Sequence, residues 1–396
     1  MKYTYDMSAS PQIPSQKILL SDGAGVTGRQ TAGLLHRAGP RVGVLTSDPL
    51  TRTKFTRSVR WRHRTGGFGH RPIEWLDEAL DAFRSGGYDV LVPTQEQVAV
   101  LSWAADRERL AGTATAVPPF DALAAVLDKA TAEQTLDCLD ISRPTTLVLG
   151  RGDDPDGWER FPAFVKRPVA TASTGVVRVD EPEQLHDVLR AWDDGRLLAF
   201  HANLRVREGV RGGAGNKRSI VLPAVREAIE RLGSDLRWTG GLSADVILGP
   251  DGPVVIDVNP RLVEPVNAAR SGVDLVGAML DVALHGAGRG PRPAPQPDSR
   301  PDVATHQLLL NLLGAAQHER TRRAVLRELG GAALRTGPYR GSTEELTPSA
   351  HDRRTLIPVA VVAAATLALP SAWERFSSSN IASYAITPEG WAQLTG

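Results

Sequence analysis

The chain is predicted to fold as an α/β domain, then an α+β domain, then a mainly helical C-terminal region. Apolar runs alternate with amphipathic stretches from Lys17 to about Val117, the pattern of a parallel sheet with helical crossovers. Beyond Pro144 the runs shorten and glycine turns separate them, ending in two runs around Gly249-Pro250-Asp251-Gly252, a hairpin signal. After residue 302 long amphipathic spacing returns, as in HQLLLNLLGAAQHERTRRAVLRELGG.

Residues 1–16 are polar, with no apolar stretch after a basic start, and read as a disordered leader rather than a secretory signal. Residues 17–117 form the first domain. KILLSDGA reads as a strand and turn, RQTAGLLHRAG as a helix and RVGVLTSD as a second strand; IEWLDEALDAFRSG, YDVLVPT and the stretch from Val98 continue the alternation. Pro118 and Pro119 mark the boundary to a second domain over 118–287. There FDALAAVLDKATAEQTLDCLD is helical, and TTLVLG, AFVKRPV, GVVRV and LLAFHANLRVR are strands. EPEQLHDVLRAWDDG reads as a helix running into a turn at Asp194-Gly195. Residues 288–302, GRGPRPAPQPDSRPD, form a proline-rich linker or surface loop, and 303–396 the helical region.

Apolar residues make up 41% and charged residues 23%, and the formal net charge is +1 with both signs interspersed. That balance argues against nucleic-acid and membrane-surface binding. The run from Leu356 to Pro370 is shorter than the roughly 20 residues that span a bilayer and is expected to be a buried helix. The lone cysteine, Cys138, excludes an intrachain disulfide and is expected to be buried. A cytoplasmic location follows as the expectation. Gly23-Ala24-Gly25-Val26-Thr27-Gly28 matches G-x-G-x-x-G between a strand and a helix, with Asp48 ending the next strand. A dinucleotide loop and a tightly packed βα turn both fit that pattern.

The strongest constellation lies around the hairpin. Asp245 and Asp257 flank the turn at matching spacing, and Asn259 and Arg261 follow at steps of two. Side chains alternate along a strand, so these groups share one face. Two carboxylates and an amide oxygen make a hard, oxygen-rich site of the kind Mg²⁺ prefers, and the fork of Arg261 suits phosphate oxygens.

This pattern resembles the metal-binding signature of ATP-grasp enzymes, and is similar to that of the biotin carboxylase and carbamoyl-phosphate synthetase branch. The resemblance implies that Asp245, Asp257 and Asn259 hold Mg²⁺ or Mn²⁺ and that Arg261 contacts the transferring phosphoryl group. Asp stands at both carboxylate positions, where Glu is commoner in the family. Asp128-Lys129 resembles the family's Asp-Lys pair, which brings Lys129 to the nucleotide phosphates. FPAFVKRPVATASTG resembles the next motif: Lys166 would bind the α/β phosphates, and a loop including Thr171, Ser173, Thr174 and Gly175 would fold over them. The basic segment carrying Arg205, Arg207, Arg211, Lys217 and Arg218 would face the acyl-phosphate site. The first domain then resembles the α/β domain that precedes the ATP-grasp domain in this superfamily, down to Glu96 after a strand. The resemblance covers residues 17 to 285. One departure is a missing Glu-rich hinge strand, where the family holds adenine and ribose.

Three readings stand open. One is an ATP- and magnesium-dependent ligase joining small-molecule carboxylate and amine substrates through an acyl phosphate, with a homodimer expected. A second is a degenerate relative that binds without turnover. The third is an NAD-dependent oxidoreductase built on the glycine loop.

Overall fold

The structure is a computed structural model, and it describes residues 16–48, 51–146, 163–166, 176–179, 185–193, 196–250, 252–348, 352–378 and 384–396. In the first domain β1 (Lys17–Leu20), α1 (Val26–Ala38), β2 (Arg41–Thr46), β3 (Trp61–Arg64), α2 (Pro72–Gly86), β4 (Val90–Val92) and α3 (Val98–Ala105) alternate as expected. Their strands form a parallel sheet in the order β3-β2-β1-β4. β1, β2 and β4 are buried apolar runs, as strands covered on both faces require, whereas the edge strand β3, WRHR, is partly exposed.

Two helices, α4 (Phe120–Leu127) and α5 (Lys129–Cys138), lead into the second domain. Asp128 caps α5 by accepting the N–H groups of Ala130 and Thr131, which fixes the helix start and places Lys129 at its first position. Cys138 is exposed, not buried. The inward stripe of α5 runs through Ala132 and Leu136, and Cys138, two residues on, falls on the other side.

The short antiparallel pair β5 (Ala163–Lys166) and β6 (Val176–Val179) follows. Then come β7 (Leu185–Asp193), β8 (Arg196–Glu208), β9 (Ala214–Ile220), α6 (Pro223–Asp235), β10 (Gly240–Gly249) and β11 (Gly252–Asn259). The stretch 185–193, expected to be helical, is a strand. It pairs antiparallel with β8 on one edge and β10 on the other, so a strand stands where the sequence pattern left a gap. After α7 (Val266–Ser271) and α8 (Leu275–Gly286), the proline-rich stretch is pinned as a strap: Arg196 donates to the Pro293 carbonyl, and Gln296 bonds both Leu198 and Asp274.

The C-terminal region contributes β12 (Ala304–His306), α9 (Leu308–His318), α10 (Arg322–Leu334), β13 (Thr343–Glu344), α11 (Leu356–Ala368), α12 (Trp373–Ser378) and α13 (Pro388–Thr395). It is helical in the main, yet β12 and β13 extend the central sheet to seven strands, β11-β10-β7-β8-β9-β12-β13. The helix α11 is half-buried: Val359, Val362, Ala363 and Thr366 face inward, while Ile357 and Val361 are exposed. No described helix is long and apolar enough to cross a membrane.

Candidate active site

The hairpin forms, but equal spacing does not set its register: counted from the Gly249–Gly252 pair Asp245 would face Ile256, and the extra residue of a bulge on β11 brings Asp257 opposite instead. Asp245 stands directly opposite Asp257, and Ser243 opposite Asn259, with a bulge just after Asp245. Bulges twist a strand locally and re-aim its side chains. Lys129 Nζ donates to Asp257 Oδ1 at 2.6 Å, and Asn259 Nδ2 to Asp257 Oδ2 at 3.3 Å. The helix start at Asp128 and the sheet edge at β11 thus converge, although 128 residues separate them. Arg261 lies just past the strand, and its buried Nε has no hydrogen-bond partner. A buried guanidinium donor left open is costly unless something accepts from it, and a phosphate or carboxylate oxygen would. Among the described residues no three His, Cys, Asp or Glu side chains cluster as a metal cage. Two facing carboxylates and an amide fit Mg²⁺, which keeps waters and takes its remaining oxygens from substrate phosphates.

Beyond Arg261 the chain reaches a second cluster, which the sequence did not reveal as a unit. Lys217 on β9, fully buried, pairs with Glu264 and, at 3.0 Å, with Glu345. Burial alone would lower the Lys217 pKa, but the two carboxylates outweigh it and raise it, so the ammonium persists. Gln307 donates to Glu264, and Gln30 of α1 donates to Glu345 at 2.8 Å. First domain, central sheet and C-terminal region therefore meet here. Glu264 holds a left-handed backbone, φ 45°, a conformation costing about 1–3 kcal/mol that gathers at functional sites. Its place three residues after Arg261 was the one available signal; nothing in the sequence links Lys217 to Glu345.

The remaining expected residues fall elsewhere. Arg207 is held in a bidentate pair by Glu328 of α10, at 2.6 and 2.7 Å, and Tyr339 hydroxyl donates to the same carboxylate. The structure thus ties Arg207 to the C-terminal region. A register shift separates Arg205 from Arg207 on β8, so strict alternation fails between them. Lys166 ends β5 opposite Val176. Thr171, Ser173, Thr174 and Gly175 lie outside the described residues.

In the glycine loop the Asp22 carboxylate accepts the N–H groups of Ala24 at 3.0 Å and Gly25 at 2.6 Å. A Cβ on Gly28 would sit 2.2 Å from the Asp22 carbonyl oxygen. These amides already serve an internal carboxylate, which favours the packed-turn reading over a dinucleotide cradle.

No family model matches the chain, and no curated protein matches it by sequence. Solved structures do. The ADP complex of PurK, N5-carboxyaminoimidazole ribonucleotide synthetase, is 11% identical with a TM-score of 0.56, over 78% of this chain and 86% of that one. The biotin carboxylase domain of Hydrogenobacter thermophilus 2-oxoglutarate carboxylase, bound to MgADP, is 13% identical with a TM-score of 0.54, over 73% of each chain. N5-carboxyaminoimidazole ribonucleotide synthetase from Thermotoga maritima is 15% identical with a TM-score of 0.51, over 71% of this chain and 78% of that one. The chain spans only 23% of Kluyveromyces lactis urea carboxylase, which it also resembles. The chain has the biotin-carboxylase-like ATP-grasp fold.

Proposed function

We propose that the protein is an ATP- and magnesium-dependent ligase that joins a small-molecule carboxylate to an amine through an acyl phosphate. The observation that carries this is the Asp245–Asp257 pair in facing register, with Lys129 against it and the open Nε of Arg261 beyond. In this reading Asp245, Asp257 and Asn259 hold Mg²⁺, Lys129 and Lys166 hold nucleotide phosphates, and the loop through Thr171, Ser173, Thr174 and Gly175 covers them. ATP supplies the phosphoryl group that activates the carboxylate, and the metal neutralises phosphate charge. Arg261 and Arg205 orient the carboxylate and balance developing negative charge, with positioning rather than covalent chemistry doing the catalysis. Arg207 acts as a strut that holds β8 to α10. Glu264, its side chain 15% exposed, would take the proton an attacking amine must lose.

The test is ADP release over a panel of carboxylate–amine pairs with Mg²⁺. Asp257→Asn keeps the shape of the site and removes its charge, so turnover should fall by at least about a thousandfold, in line with the loss of one preorganised electrostatic group. Unchanged turnover in that variant would overturn the assignment.

One observation favours the binding-only reading. Both Asp257 oxygens already have partners within the chain, Lys129 and Asn259, so that carboxylate is satisfied without a metal. A thermal shift with ATP that is indifferent to Mg²⁺, with no ADP release on any pair, would select that reading.

A further inference from the structure

The first domain carries a second polar cavity that the ligase reading does not use. It has a volume of about 550 Å³ and lies between the C-terminal end of α1, the start of β2 and the segment that leads into β3. Six cationic side chains line it, Arg41, Lys54, Arg57, Arg60, Arg62 and Arg354, with His36 alongside and no acidic residue in the lining. Among the described residues none of the six takes part in an ion pair. Five of them come from the first domain, and Arg354 from the C-terminal region closes the ring. The negative end of the α1 dipole, worth about half a charge, offsets little of this.

A buried arginine on α1, outside the lining, adds an independent observation. Arg29 of α1 is 5% exposed, and its Nη2 has no hydrogen-bond partner. Burial lowers its pKa to about 10, with Asp352 opposing that shift and Arg37 adding to it. Asp352 is the one carboxylate close by, and it is already engaged. Its Oδ2 accepts from Thr56 Oγ1 at 2.9 Å and from the Arg57 N–H at 2.6 Å, and its Oδ1 accepts from the Arg354 N–H at 3.1 Å. Asp352 therefore braces the cationic wall, and its single charge offsets only part of it.

We infer that this cavity binds a small molecule carrying two or more phosphate groups, at a place separate from the Asp245–Asp257 site. Like charges gathered around one concavity repel one another, and a multivalent anion relieves that repulsion. Arginine forks suit phosphate oxygens, two donors to one group. The shape favours a small molecule over a nucleic acid. The cations converge on a concavity of ordinary ligand size, and the chain as a whole has a net charge of only +1, without the broad basic face that duplex or single-stranded nucleic acid requires.

The experiment is calorimetric titration of the full chain with tripolyphosphate, at low and at physiological salt. Arg57 and Arg60 are exposed, so Arg57→Glu/Arg60→Glu should fold; a thermal melt checks this. Binding should weaken about a hundredfold in that variant, near tenfold for each charge-assisted hydrogen bond removed. It should be unchanged in a control reversal of two exposed arginines away from the cavity, Arg320→Glu/Arg323→Glu. Failure of the ligase reading would leave this pattern intact, because the readout is binding and the two sites carry separate variants. Three results would overturn the proposal: no binding by the wild type, binding unchanged in Arg57→Glu/Arg60→Glu, or an equal weakening in the control. Tighter binding of a 20-nucleotide single strand than of tripolyphosphate, abolished in the same cavity variant, would instead make the surface a nucleic-acid site.

Discussion

Two lysines show how surroundings decide what a residue is for. Lys217 is sealed in with Glu264 and Glu345, and its removal would strand two carboxylates out of water, a folding defect of several kcal/mol. Lys129 sits at a helix start with its side chain 18% exposed, opposite a carboxylate that is 25% exposed. Water screens that pair, so it contributes at most about 1 kcal/mol to stability. In the proposed ligase its value would lie in reaching the nucleotide phosphates and in balancing Asp257. Lys129→Ala should therefore leave the melting temperature within a few degrees of the wild type, while ADP release falls at least about tenfold. Measured together, the two readouts separate the roles: a large melting shift with unchanged turnover would make Lys129 a structural ion-pair partner and nothing more.

At the level of elements, the glycine loop tests the packed-turn reading. Gly28 faces the Asp22 carbonyl with no room for a Cβ, so Gly28→Ala must push α1 away from the end of β1. Overpacking of that kind costs about 1–3 kcal/mol, read as a lower urea midpoint. NADH fluorescence should show no binding in either protein; enhanced nicotinamide emission with the wild type would restore the dinucleotide reading. The same elements show what the sequence could and could not disclose. The parallel sheet was legible because apolar strands alternate with helices and α2 carries a clean helical stripe, although α1 is buried on every side from Thr27 to Leu35. Asp245 and Asp257 were legible as a pair because a hairpin turn brings its flanking strands together, but their facing register comes from the bulge, which the turn spacing did not disclose. The strand β7 was not. In LHDVLRAWD the apolar residues fall at helical spacing, but β8 and β10 offer backbone partners along both edges, and tertiary pairing overrides a weak local preference. Glu345 was hidden for a similar reason. Its partners Gln30 and Lys217 lie 315 and 128 residues away, and no periodicity spans such distances.

Across the whole molecule, the junction of the C-terminal region with the central sheet sets a pH response. Burial pushes Glu344 from the usual 4.5 up to about 7, against the N–H groups of Leu308, Leu346 and Thr347 that favour its charge. Burial also pulls His306 from 6.5 down to about 4, and His201 from 6.5 to about 3. His306 Nε2 stands 3.4 Å from Glu344 Oε2, yet between about pH 4 and 7 both groups are mostly neutral, so the contact is no ion pair over that range. The signs follow from linkage. For Glu344 the folded state binds more protons than the unfolded one between 4.5 and 7, so its contribution is full below 4.5 and lost as pH rises through 7. For the two histidines the folded state binds fewer, so their contribution is full above 6.5 and lost as pH falls toward 4 and 3. Between 4.5 and 6.5 the three groups together leave a net uptake of about one proton on unfolding, and stability from them rises by about 1.4 kcal/mol per pH unit. Above 6.5 only Glu344 still differs, and the slope turns slightly negative. Asp274 and Asp281, raised mainly by burial, act with Glu344; Glu328 and Asp352, held low by hydrogen bonds that outweigh burial, act with the histidines. The difference between wild type and Glu344→Gln cancels these common terms. Urea unfolding from pH 4.5 to 8 should show the variant gaining about one proton's worth of slope between 4.5 and 6.5 and losing the decline above 6.5. Parallel curves would mean that Glu344 is ionised in the fold, and that the N–H groups around it outweigh its burial.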